Sequence, residues 1–254
     1  MIHRNKHRTV SQAVGVLLIA VTVITQEASA IAQEPKLTFL CQFEDDNGIL
    51  SPLSNAFVWV PYGSKFNRDR ISEFSRTDLT EAILDPTDSQ QTPLNTLVKE
   101  GNKMTPKSLF VQANQHLFVH NKSETFFQPT VLSFNNGLTV GVPPGETSSY
   151  LLPKPDNLPS VIRNDFEDLG TVMLLIQPHP FGGISNEMGV ATISALPVDE
   201  WEFTAFHEQF GHPIEVSIVN GTAVKMRKHH FKVRMQTDSV NIQLVWKKSF
   251  KKDP

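Results

Sequence analysis

Seven histidines lie in the part of the chain patterned to fold: His116, His120, His179, His207, His212 and the adjacent pair His229-His230. Imidazole is the commonest metal ligand and a general base poised near neutral pH. These seven are spread along the chain, without the short-range gathering of ligands that marks a zinc site. His120 alternates with Phe118 at a strand end, and His207 runs in phase with Trp201, Phe203 and Ala205, so both are expected to be structural. Asp165, Glu167 and Asp168 lack the ordered oxygen spacing of a calcium loop. Asp45-Asp46, beside Gly48, is a turn.

Covalent and phosphate chemistry find no support either. There is no G-x-S-x-G elbow, no H-E-x-x-H helix, no phosphate loop and no glycine-rich dinucleotide turn. His207-Glu208 runs on as Gln209-Phe210-Gly211, which excludes a metalloprotease helix. The single cysteine, Cys41, excludes an intrachain disulfide. It shares a strand face with Phe39 and Phe43 and is read as a small core residue. Trp59, Tyr62 and Trp246 could offer aromatic platforms to a sugar, although core packing accounts for them more simply. The expectation is a chain that is not an enzyme and carries no cofactor.

The elements behind these residues begin after an address segment. Arg4, Lys6 and Arg8 precede the apolar run 13–24, and small residues follow at Ala28-Ser29-Ala30 and Ala30-Ile31-Ala32. That is the pattern of a secretory signal, with cleavage expected after Ala30 or Ala32. The run is about a dozen residues, short of the ~20 that span a bilayer. Residues 1–30 are therefore read as a signal peptide and the chain as exported, to the periplasm or the extracellular space. Removing them takes the net charge from −3 to about −5, because Arg4, Lys6, Arg8 and Glu27 go with them. No Lys/Arg cluster shows on a patterned face, so no nucleic-acid partner is expected. No second apolar run approaches membrane length.

Beyond the signal the pattern has period two. LTFLCQFE and NAFVWV alternate at 37–44 and 55–60, and SLFVQA, HLFVHN and TVLSF follow from 108 to 134. TVMLLI (171–176) is apolar throughout and suits a strand covered on both faces. EWEFTAFHE, HFKVRMQ and VNIQLVW alternate again toward the C-terminus. Residues 64–103 are polar, with Pro86 and Pro93, and read as a connector with a helical turn or two around 78–84. No helix of ordinary length is demanded. The fold class is all-β, two β-sandwiches.

Two resemblances sharpen this. Pro106, Leu109, Val111, the HLFVHN strand, the FNNGL turn, PPGE (143–146) and the HPF of 179–181 make residues 104–180 resemble a cupredoxin of the secreted, methylamine-utilisation-like type. The S-N-E-x-G turn of 185–189, the L-P-x-x-E-W-E-F segment and His207-Glu208 make residues 181–248 resemble a carboxypeptidase regulatory-like (prealbumin-like) domain. The first resemblance implies a blue-copper site with two imidazoles, a thiolate and a long axial thioether. Carried onto this chain, the first His position falls on Gln128. The C-x-x-H-x-x-M loop falls on Arg163, Phe166 and Leu169. All four former copper-ligand positions depart from the pattern. Arg163 in that frame puts a cation where copper belongs.

Residues 36–62 read as first strands that pair with the regulatory-like unit, leaving the cupredoxin-like unit as an insertion. Two domains in series is the alternative. The function expected is a non-catalytic exported β-sandwich protein that binds or packs against an envelope or extracellular partner. The alternatives are a copper-binding electron-transfer protein and an exported carbohydrate-binding module.

Overall fold

Alternating apolar residues put one strand face in a core, and nineteen strands form among the described residues. The structure is a computed structural model. It describes residues 36–74, 95–194, 196–219, 222–235 and 239–248. The signal segment, the 78–84 stretch and the lysine-rich end of the tail lie outside these.

The elements run β1 (Lys36–Glu44), β2 (Leu50–Pro52), β3 (Phe57–Trp59), then one helix, α1 (Lys65–Phe74). β4 (Thr96–Glu100), β5 (Lys103–Thr105), β6 (Ser108–Gln112) and β7 (Gln115–Asn121) follow. Next come β8 (Pro129–Leu132), β9 (Leu138–Thr139), β10 (Thr147–Leu152), β11 (Ser160–Asn164) and β12 (Thr171–Gln177). The last are β13 (Gly182–Ile184), β14 (Val190–Ser194), β15 (Glu200–Phe206), β16 (Glu215–Ile218), β17 (Met226–Arg227), β18 (His230–Arg234) and β19 (Val240–Lys247).

Four sheets form two sandwiches. In the terminal sandwich, β14-β1-β19-β16, with β2 added on β1, faces β13-β3-β15-β18-β17. β1 runs parallel to β19 from Leu37 opposite Val240 to Glu44 opposite Lys247, and antiparallel to β14. β3 lies between β13 and β15. The chain thus leaves this pair of sheets near residue 60 and rejoins it at 182. Phe39, Cys41, Trp201, Phe203, Phe231, Leu244 and Trp246 fill the space between the sheets. In the middle sandwich, β10-β7-β4-β5 faces β6-β12-β11-β8-β9 around Leu97, Val119, Ile162 and Leu174.

The two sandwiches abut. Phe57 and Trp59 of β3 pack against Met173 and Leu175 of β12, with Phe110 and Phe206 beside them. β12 therefore sends Val172, Leu174 and Ile176 into its own core and Met173 and Leu175 outward into this second one. Burial on both faces is why the strand carries no polar alternation.

Two features depart from the sequence expectation for 64–103. α1 forms where no helix was demanded. The Ser64 hydroxyl accepts the Phe66 N–H at 3.2 Å, an N-cap. Buried Asn67 donates to the Glu202 carbonyl at 2.8 Å and accepts its N–H at 3.1 Å. Ile71 is an apolar anchor in the core, and Arg70 pairs with Asp199 at 2.5 Å. Polar docking of this kind leaves a weak apolar periodicity to detect. β4 and β5 also lie within the expected connector, and β4 buries Leu97 and Lys99 completely. Its lysine hides a core strand.

Candidate functional site

Gln128 lies just before β8, and Asn164, the last residue of β11, faces Pro129 across the ladder. The Asn164 amide, oriented to satisfy both its ends, donates to the Gln128 carbonyl at 3.0 Å and accepts the Glu167 N–H at 3.0 Å. Gln128 and the 165–169 turn are therefore neighbours at one end of the middle sandwich. The other positions that the resemblance assigns to copper ligands diverge from that point. Arg163 belongs to β11 itself, opposite Thr130, with its side chain 56 % exposed and its Nε 3.0 Å from Asp165 Oδ1. Phe166 is exposed, and Leu169 is buried in the core.

These residues do not fit a copper ion. None of the four side chains offers an imidazole, thiolate or thioether. Cys41 lies in β1 of the other sandwich, where burial pushes its thiol up to about 12. Among the described residues no group of three or more His, Cys, Asp or Glu is arranged to hold a metal.

The buried cation at this end is Lys99. Its Nζ donates to Glu167 Oε2 and to Thr125 Oγ1, each at 2.7 Å, and lies 5.7 Å from the centre of the Phe127 ring. A lysine with no exposed surface requires such a partner, since an unpaired buried ammonium loses its hydration without compensation. The hydrogen bond from Lys99 holds the Glu167 carboxyl below its ordinary range, and the ammonium's charge adds to it. Asn121 braces the 121–125 turn, donating to the Thr125 and Val142 carbonyls at 2.9 and 3.0 Å. Lys99 is held by this ion pair and the Thr125 hydrogen bond. The sequence signal that could have found it is a lysine in phase with Leu97 on a strand face.

The remaining candidates sort by burial. His207 accepts the Gln209 N–H at 3.2 Å and stacks on Phe210, and desolvation lowers its pKa. His179 accepts the Phe181 N–H at 3.1 Å, and burial lowers it to about 4. Trp59 and Trp246 are fully buried, which removes two of the three aromatic platforms available to a sugar.

His212 and His229 meet although 17 positions separate them, their rings stacked 4.1 Å apart. They meet because Lys228 and His229 form the two-residue tip between β17 and β18, both in the left-handed region at φ 49° and 70°. The same turn builds a basic cluster where none was expected on a patterned face. It folds Lys225 and Arg227 back beside His230 and Lys232, and these line one cleft.

No family model matches the chain, and no curated protein matches it at the level searched. Solved structures share parts of it. A copper-containing nitrite reductase from Thermus scotoductus SA-01 is 15 % identical over 34 % of this chain, with a TM-score of 0.30. The match spans 23 % of that enzyme's chain. A purple cupredoxin from Nitrosopumilus maritimus is 8 % identical over 32 % of this chain and 98 % of its own, with a TM-score of 0.28. An oxidised amicyanin variant is 6 % identical over 37 % of this chain and 88 % of its own, with a TM-score of 0.30. Likenesses of this size fix no activity for the chain.

Proposed function

We propose that this chain is an exported, non-catalytic β-sandwich protein with a binding or structural role at the cell envelope. In this reading the middle sandwich is a cupredoxin-like unit that has given up copper. It is inserted into a regulatory-like sandwich made of residues 36–62 and 184–247. The observation that carries the reading is the Lys99–Glu167 pair, a cation and its counter-ion beside the Gln128 and 165–169 segments. The ammonium engages Glu167, so that carboxylate is not free as a metal ligand. The ladders of β1 with β14 and β19 support the insertion.

Metal analysis tests it. Protein produced and purified in copper-supplemented medium is expected to hold far less than one copper per chain. A stoichiometric copper content that survives dialysis against a weak chelator overturns the reading in favour of electron transfer.

A further inference from the structure

The β17–β18 hairpin concentrates positive charge in a chain whose net charge is −3. Lys225, Arg227, Lys228, His230 and Lys232 line a single cleft of about 590 Å³. Among the described residues its one acidic wall residue is Glu202, which accepts a hydrogen bond from Ser64 Oγ at 2.6 Å and stands 3.9 Å from His230 Nδ1. Among the described residues, Lys225, Arg227 and Lys228 have no carboxylate within ion-pair distance. Lys232 lies over the Phe66 ring, 3.4 Å from its centre, which fixes the ammonium at the cleft wall.

Two further observations set this surface apart from a solvated lysine face. Both tip residues hold the left-handed backbone that a two-residue hairpin turn requires, a conformation uncommon for lysine. The His212 ring, tied to the Ala205 carbonyl at 2.7 Å, stacks on His229 and pins that tip in place. His230 Nδ1 is buried and makes no hydrogen bond. The hairpin therefore holds its cations together against their mutual repulsion, without an internal counter-ion for most of them.

We propose that this cleft binds a small, multiply charged oxyanion, carrying phosphate or carboxylate groups, through Arg227 at the end of β17 and Lys228 at the tip. Arginine grips a planar or tetrahedral oxyanion in bidentate fashion, while lysine contributes a point charge. The inference gives a ligand class to the binding role proposed above and rests on that role. Copper content is measured independently, so the two readings fail separately.

Calorimetric titration of the full chain with inorganic pyrophosphate and with citrate, at constant ionic strength in chloride, provides the test. Saturable binding of either is expected. The stronger ligand identifies phosphate or carboxylate as the group recognised. Arg227→Gln and Lys228→Gln should each weaken binding roughly tenfold, the loss of one charge-assisted contact. Lys225→Gln serves as the second variant should a tip substitution shift the denaturation midpoint. Absence of saturable binding by both anions, or equal affinity in wild type and the variants, overturns the proposal.

Discussion

Lys99 Nζ lies 2.7 Å from Glu167 Oε2 and joins β4 to the turn after β11 across the end of the middle sandwich. The two partners are unequal, with 1 % of the lysine side chain exposed and 38 % of the glutamate's. Removing the carboxylate leaves a buried ammonium, whereas removing the lysine leaves a carboxylate in contact with water. Glu167→Gln is therefore expected to lower the urea midpoint more than Lys99→Met does. The Glu167 pKa is lowered on folding, so its contribution is fully present above the ordinary 4.5 and is lost as pH falls through the folded value. The gap between wild type and Glu167→Gln should close in that acid range. Equal midpoints at pH 7 contradict the assignment.

His179 sets a second pH dependence. Burial lowers its pKa from 6.5 to about 4, so the unfolded chain takes up a proton before the folded one does. The stability conferred by the neutral ring is complete above pH 6.5 and disappears as pH drops to about 4, a change on the order of 3 kcal/mol. His179→Asn keeps an acceptor for the Phe181 N–H and cannot titrate. Urea unfolding of this variant should show a flatter profile between those pH values. A parallel profile contradicts the prediction.

Much of the terminal sandwich was legible in its alternation. Trp201 and Phe203 in EWEFTAF, and Phe231, Val233 and Met235 in HFKVRMQ, are all buried, and in the middle sandwich the unbroken apolar run of β12 is indeed covered on both faces. The S-N-E-x-G turn also carried meaning. Asn186 Oδ1 accepts the Met188 and Val190 N–H groups at 3.0 Å, and Gly189, at φ +73°, approaches the Cys41 carbonyl so closely that a Cβ would stand 2.4 Å from it. Period two says which residues face inward and nothing about which strands pair, so the expected pairing of 36–62 with the C-terminal unit rested on the resemblance, and the partner and register of β1 within that unit were not readable. Lys99 and the 225–232 cations were missed for a related reason. Their meaning depends on a sheet partner and a turn, and local hydropathy scores them as solvent.

Trp201→Ala should cost about 3–5 kcal/mol, since the ring is fully buried against Phe181 and the residual cavity cannot collapse between two sheets. Chemical denaturation reads this directly. An unchanged midpoint contradicts the strand register of β15.

Contact between the sandwiches is tight at Gly182, where a Cβ would come within 2.2 Å of Phe110 Cε2. Gly182→Ala is expected to destabilise by roughly 1–3 kcal/mol through overpacking. Adding Phe110→Leu should recover part of that loss, a coupling that a double-mutant cycle measures. Purely additive effects contradict the contact.

The most direct test of the proposal that the middle sandwich binds no copper is optical. Purified protein titrated with Cu(II) is expected to show no intense thiolate-to-copper charge-transfer band. The only thiol is Cys41, buried in the other sandwich, and Lys99 pairs with Glu167 beside Gln128 and the 165–169 turn. A strong blue or purple band that Cys41→Ser abolishes contradicts the account.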